Sequence, residues 1–151
     1  MSTTTDKLAR MISDLADPDL DAQELLPMVC LREADLHGEL ARTPADLAYL
    51  GMLASQAEHE HAEAKAGLER IEAQAQFNAR ALAAGEGRKL TELMAEALVD
   101  SNDVVLTAKS LLARAAHRRG VVKALCGACQ TKASLLQSLT GLHRAEMQLT
   151  R

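Results

Sequence analysis

The residues best suited to chemistry fall in three clusters. Glu58-His59-Glu60-His61-Ala62-Glu63 is the most metal-like. His59 and Glu63 stand four apart, so one helix face could offer both to a metal. His61 falls on a different face. An open catalytic site needs three convergent protein ligands, so a metal-dependent enzyme built on His59, His61 and Glu63 would have to borrow one from another chain. A charged helix face with one inward histidine is the simpler reading, and no metal is expected. The second cluster is Cys126-Gly127-Ala128-Cys129. A redox CxxC sits at a helix start beside a sheet, whereas this one lies inside a helical apolar stripe, and no second CxxC completes a zinc site. Both thiols read as small buried hydrophobes. With Cys30 the cysteines number three, and a cytoplasmic protein keeps them reduced.

The third cluster is electrostatic. Between Asp103 and Glu146 there is no acidic residue, yet residues 104–145 carry Lys109, Arg114, Arg118, Arg119, Lys123, Lys132 and Arg144. The chain as a whole is acidic, at net -4, so charge is segregated along it: residues 1–75 sum to -9 and residues 76–151 to +5. Asymmetry of this kind points to nucleic acid, to a membrane surface, or to oppositely charged faces of subunits. On a helical wheel Arg114, Arg118 and Lys132 flank one edge of the apolar stripe. Lys109 and Lys123 lie nearly opposite it, and Arg119 lies near its other border. Arg80, Arg88 and Lys89 form a second basic group. Charges spread in this way suit contact with backbone phosphates, which carries no sequence information. With one Tyr (Tyr49), one Phe (Phe77) and no Trp, base stacking is not the main grip.

Several classes are set aside. Gly85-Glu86-Gly87 lacks the third glycine and the preceding strand of a dinucleotide fingerprint, and the P-loop pattern is absent. No serine occupies a nucleophile elbow. The expectation is therefore a protein that is not an enzyme and holds no cofactor. No stretch approaches ~20 apolar residues, so no membrane span is expected, and the polar start MSTTTDKLAR has no signal-peptide core. A cytoplasmic location follows as an expectation.

The elements that must position these residues are all helical. Ala, Leu and Met carry most of the 48% hydrophobic content, and these are strong helix formers. Leu8, Met11, Ile12 and Leu15 mark a short helix over 5–16, ended by Asp17-Pro18-Asp19. Residues 21–40 read as helical but interrupted at Pro27. Thr43-Pro44-Ala45-Asp46 predicts a helix start. The helix runs to about Ala84 on a heptad row of Leu47, Leu50, Ala54, Ala57, His61, Ala64, Leu68, Ile71, Ala75, Asn78 and Leu82. Gly85–Gly87 forms a hinge, a short helix spans Thr91 to about Val99 with Leu90, Met94 and Leu98 on one face, and Asp100-Ser101-Asn102-Asp103 restarts a helix over 102–149. Its stripe comprises Val104, Ala108, Leu111, Leu112, Ala115, Val122, Leu125, Cys129, Leu136 and Leu139, with Gly120, Gly127 and Gly141 as points of weakness. The predicted fold is an all-α, long antiparallel helical hairpin with a short intervening helix. Residues 1–42 form an N-terminal helical arm, and 43–151 form the hairpin, oligomerisation and DNA-binding domain. One hairpin cannot bury stripes this long, so assembly into a homo-oligomeric bundle or ring is expected.

The order of these parts resembles a family. A short arm, a long helix carrying Arg70-Ile71-Glu72-Ala73-Gln74, a Gly/Arg hinge, a short Thr-Glu helix and a long helix opened by Asn102-Asp103-Val104 are together similar to the UvsY-type recombination mediators of bacteriophages, over roughly residues 45–140. The resemblance implies a non-enzymatic accessory protein of homologous recombination. It would form helical homo-oligomeric rings, bind single-stranded DNA, and help a RecA-like recombinase displace the single-strand-binding protein. The family's DNA-contact motif falls on Arg80-Ala81-Leu82. Arg80 keeps its first charge, Leu82 stands where the family has Arg, and Arg88 and Lys89 follow shortly after. The candidate nucleic-acid-binding residues are thus Arg80, Arg88, Lys89, Lys109, Arg114, Arg118, Arg119 and Lys123. The competing expectation is a helical scaffold or interaction protein without DNA binding, such as a phage assembly factor or an inhibitor of a host protein.

Overall fold

The computed structural model describes residues 7, 9, 10, 12, 13, 20–32 and 35–149. Four helices are delimited in chain order: α1 (Ala22–Val29), α2 (Leu36–Gly85), α3 (Glu92–Asp100) and α4 (Asp103–Leu149), with no strand among the described residues. Helices α2 and α4 pack against each other as the arms of a hairpin. Of the helix expected over 5–16, residues 7, 9, 10, 12 and 13 are helical, while Leu8, Met11, Leu15 and the Asp17-Pro18-Asp19 turn lie outside the described residues.

Local chemistry fixes most of the helix ends. Asp21 caps α1 by accepting the Gln23 amide at 2.8 Å. Pro27, which cannot donate to the carbonyl four residues back, is followed two residues later by the end of that helix at Val29. The start of α2 is not at Thr43. Asp35 accepts the Gly38 amide at 3.0 Å and opens the helix at Leu36. A Cβ at residue 38 would collide with that carboxylate, so glycine there lets the cap close. Thr43 instead turns inward and donates its hydroxyl to the Glu39 carbonyl at 2.7 Å. Pro44 therefore sits inside the helix, where it leaves the Leu40 carbonyl without its usual amide.

The far end of α2 closes in a Schellman turn. Arg88 N–H donates to Ala83 O at 2.9 Å and Gly87 N–H to Ala84 O at 3.1 Å. Gly87 takes φ 66°, a left-handed conformation that favours glycine. Thr91 caps α3 through the Met94 amide. Asn102 caps α4 through the amides of Val104 (2.9 Å) and Val105 (3.4 Å). Helix α4 then runs unbroken through Gly120, Gly127 and Gly141.

The chain forms two compact units: residues 1–56 with 118–151, and residues 57–117. In the first unit Ile12, Leu20, Leu25, Leu50, Val121, Val122, Leu125 and Leu136 are buried. Two contacts fix antiparallel pairing there. The Cys126 thiol donates to Leu50 O at 3.2 Å, and Lys132 Nζ is ion-paired with Glu39. Lys132 Nζ also donates to Pro27 O at 3.2 Å, so one ammonium ties α1, α2 and α4. The second unit is built on smaller residues. Ala57, Ala83, Ala95, Val105 and Ala108 are its buried hydrophobes.

The seams differ from expectation in two places. On α2 the heptad row is buried or half-buried from Leu47 to Ala75, but Asn78 and Leu82 are exposed and Ala79 and Ala83 take their place. A straight α-helix drifts about 20° per heptad, and after several heptads a four-residue step recovers the inward face. On α4 the inward positions are Val105, Ala108, Leu112, Ala115, Arg118, Val122, Leu125, Cys129, Lys132 and Leu136, while Val104 and Leu111 face out. Arg118 and Lys132 lie within this row, not on its edge. They are two heptads apart with Leu125 between, and the ideal wheel misplaced them through the same drift.

Candidate nucleic-acid interface

Each of the eight candidate cations can be placed from its own helix upward. Arg80, on the exposed side of α2, is clamped by Glu92 at the start of α3: its Nη2 lies 2.9 and 3.1 Å from the two carboxylate oxygens. Gln76 donates to the same carboxylate. Arg88, just past the Schellman turn, pairs with Glu86 at 3.4 Å. Lys109 on α4 contacts Asp100 at 2.7 Å and Glu72 at 3.8 Å. The hydrogen bond that Lys109 donates to Asp100 holds the lysine pKa above its usual value, with smaller help from Glu72. These three cations carry their own counter-charges.

The other five divide by burial. Arg118 is 8% exposed and Arg119 is half-buried. Arg118 lies in the packed row as a buried side chain, not on the exposed surface expected of it. Lys89, Arg114 and Lys123 are exposed and make no ion pair or side-chain hydrogen bond among the described residues. The structure brings Arg80, Arg88, Lys89, Lys109 and Arg114 into the unit 57–117. Arg118, Arg119 and Lys123 belong to the other.

Folding also redistributes the charge. The unit 57–117 holds seven Lys/Arg and ten Asp/Glu, net -3, and the other unit holds ten and eleven, net -1. The segregation seen along the sequence is largely cancelled within each unit. The carboxylates that mask the cations were not legible as such. Asp100 and Lys109 are nine apart and Glu72 is farther still, beyond any single-helix spacing. One signal did exist for Lys132: a cation beside an apolar stripe, in a segment without acidic residues from 104 to 145, must take its counter-charge from another helix.

The remaining clusters are quiet. His59 Nε2 lies 3.5 Å from Glu63 Oε1 on an exposed face, and His61 is half-buried. Among the described residues no group of three His, Cys, Asp or Glu is placed to hold a metal. Burial pushes the thiols of Cys126 and Cys129 upward in pKa, with Asp46 adding to the effect on Cys129. All three cysteines are free thiols. No helix among the described residues is long and apolar enough to cross a membrane. In comparisons with known proteins, no family model, curated protein or solved structure matches the chain.

Proposed function

We propose that this chain is a non-enzymatic, self-associating helical protein that binds single-stranded DNA without sequence preference and helps load a RecA-like recombinase. The observation that carries the reading is the set of exposed cations Lys89, Arg114 and Lys123, which keep their charge available on an acidic chain. The helix order supports it too. A Thr91-capped short helix lies between a long helix closed at Gly85 and a long helix opened by Asn102, as the UvsY-type resemblance implies. Three cations make a weak grip. Repetition around a homo-oligomer would strengthen it by effective concentration.

The test is a titration of fluorescent oligo-dT at several salt concentrations. Each phosphate contact on a single strand contributes about -0.7 to the slope of log K against log salt, so three contacts give about -2 per protomer. No binding at ~50 mM salt would sink the reading. Displacement of a single-strand-binding protein by a RecA-like recombinase, measured with and without this chain, tests the loading role.

A second reading, a helical scaffold without DNA binding, is favoured by the carboxylates that neutralise Arg80, Arg88 and Lys109. The triple reversal Lys89→Glu, Arg114→Glu, Lys123→Glu separates the two. A mediator loses DNA binding and keeps its sedimentation behaviour, whereas a scaffold has no DNA binding to lose.

A further inference from the structure

Between residues 59 and 77, α2 turns Leu68, Ile71 and Ala75 inward and leaves its opposite face exposed. Ala62, Ala66 and Ala73 run down the middle of that exposed face. At about 100° of rotation per residue, Lys65 and Glu69 fall on one side of this line and Glu63 and Arg70 on the other. All belong to the unit 57–117. The four charges are little used within the chain. Lys65 and Glu69 stand one turn apart but make no ion pair among the described residues. Lysine N-terminal to glutamate is the weaker order for a pair within one helix. Glu63 contacts the exposed His59 at 3.5 Å, and Arg70 Nε donates to the Ala66 carbonyl of its own helix at 3.5 Å.

The order of signs along the face selects the partner. Two antiparallel copies of one helix are related by a two-fold axis, which sets each flank against the same flank of the other copy. With that axis near Gly67, Lys65 stands opposite Glu69 of the second copy on one flank. On the other flank, Glu63 stands opposite Arg70 of the second copy. Symmetry repeats each contact. The same register sets Ala62 against Ala73 of the second copy and brings Phe77, otherwise 68% exposed, beside its His59. Alanines along the middle let the two backbones approach to about 8 Å, within reach of the flanking charges. One exposed ion pair contributes little, but four in register along roughly 27 Å of helix fix an orientation. We propose that α2 pairs with α2 of a second copy, antiparallel about an axis near Gly67, through Lys65–Glu69 and Glu63–Arg70 contacts. The proposal rests on the self-association in the function proposed above and is independent of DNA binding.

Sedimentation equilibrium of the full chain at ~50 mM salt, with charge-swap variants, tests it. Lys65→Glu alone and Glu69→Lys alone each set like charges opposite one another, and each should weaken self-association about tenfold. An equimolar mixture of the two variants restores opposite charges across the axis. Mixed dimers should regain the wild-type affinity, and the differences should fade at ~500 mM salt. A pair confined to one helix could not be restored by mixing. Under mild oxidation Ala66→Cys should form an intermolecular disulfide, since position 66 adjoins the same position of the second copy. Gln74→Cys, about 20 Å from its counterpart, should not. A chain that stays monomeric at every concentration would overturn this proposal together with the self-association it rests on. Association that ignores the charge variants, or a mixture no tighter than either variant alone, would overturn this proposal only.

Discussion

Lys132 and Glu39 are the residues on which the first unit turns. Their side chains are 2% and 3% exposed, and Lys132 also satisfies the Pro27 carbonyl. Removing Lys132 leaves the buried Glu39 carboxylate with only the exposed Arg42, at 3.3 Å, and breaking a buried pair of this kind costs about 3–5 kcal/mol. Lys132→Met should therefore lower the urea midpoint sharply. Lys132→Met with Glu39→Leu should recover much of the loss, because a matched apolar pair avoids the desolvation cost. The buried cysteines give a second prediction at this scale. A thiol pKa raised on folding means that the folded state holds its proton more tightly. The resulting stability is full below the unfolded value near 9.0 and is lost as pH rises through the folded value. Iodoacetamide at pH 8 should accordingly label Cys126 and Cys129 more slowly in the native chain than in urea, and the urea midpoint should fall above pH 9 in wild type more than in a Cys126→Ala, Cys129→Ala variant.

At the scale of elements, Pro44 is the clearest local conflict. A proline inside a helix costs about 3 kcal/mol, and its stiffness in the unfolded chain returns up to about 1. Pro44→Ala should thus stabilise the chain by about 2 kcal/mol, read from chemical denaturation. The conflict also shows what the sequence could and could not reveal. Helix type, the Gly85–Gly87 turn and the caps at Thr91 and Asn102 were legible, because each depends on neighbours within a few residues. The Thr43-Pro44 start was misread. Its motif is also local, but Asp35 supplies a competing cap earlier in the chain, and Thr43 found a carbonyl at Glu39. The phase of the long seams was legible near their middles and lost near their ends, at Leu82 and Val104, where a few degrees per turn accumulate. Burial of Arg118 and Lys132 was hidden for the same reason. Whether a charged residue at a stripe's edge turns in or out depends on a carboxylate distant in sequence, as Glu39 is from Lys132, and no spacing rule reaches that far.

For the whole molecule, the decisive quantity is how much positive charge survives folding. Each unit is net negative, so long-range attraction of a polyanion is weak, and the proposed DNA binding would rest on local contacts at Lys89, Arg114 and Lys123. Affinity for oligo-dT should then rise steeply with protein concentration as copies assemble. Single reversals at each of the three cations should cost about threefold or more apiece at ~100 mM salt, while Arg80→Glu changes affinity little because Glu92 already neutralises it. Synthesis order adds a consequence of the acid-free segment 104–145. The carboxylates paired with Lys109 and Lys132, at Glu39, Glu72 and Asp100, all precede those cations in the chain. A growing polypeptide therefore exposes these anionic partners before Lys109 and Lys132 leave the ribosome, so two of the seven cations of residues 104–145 find their counter-charges already synthesised. A fragment beginning at Val104 would lack these carboxylates and should bind oligo-dT more tightly than the intact chain at ~50 mM salt, read by the same titration.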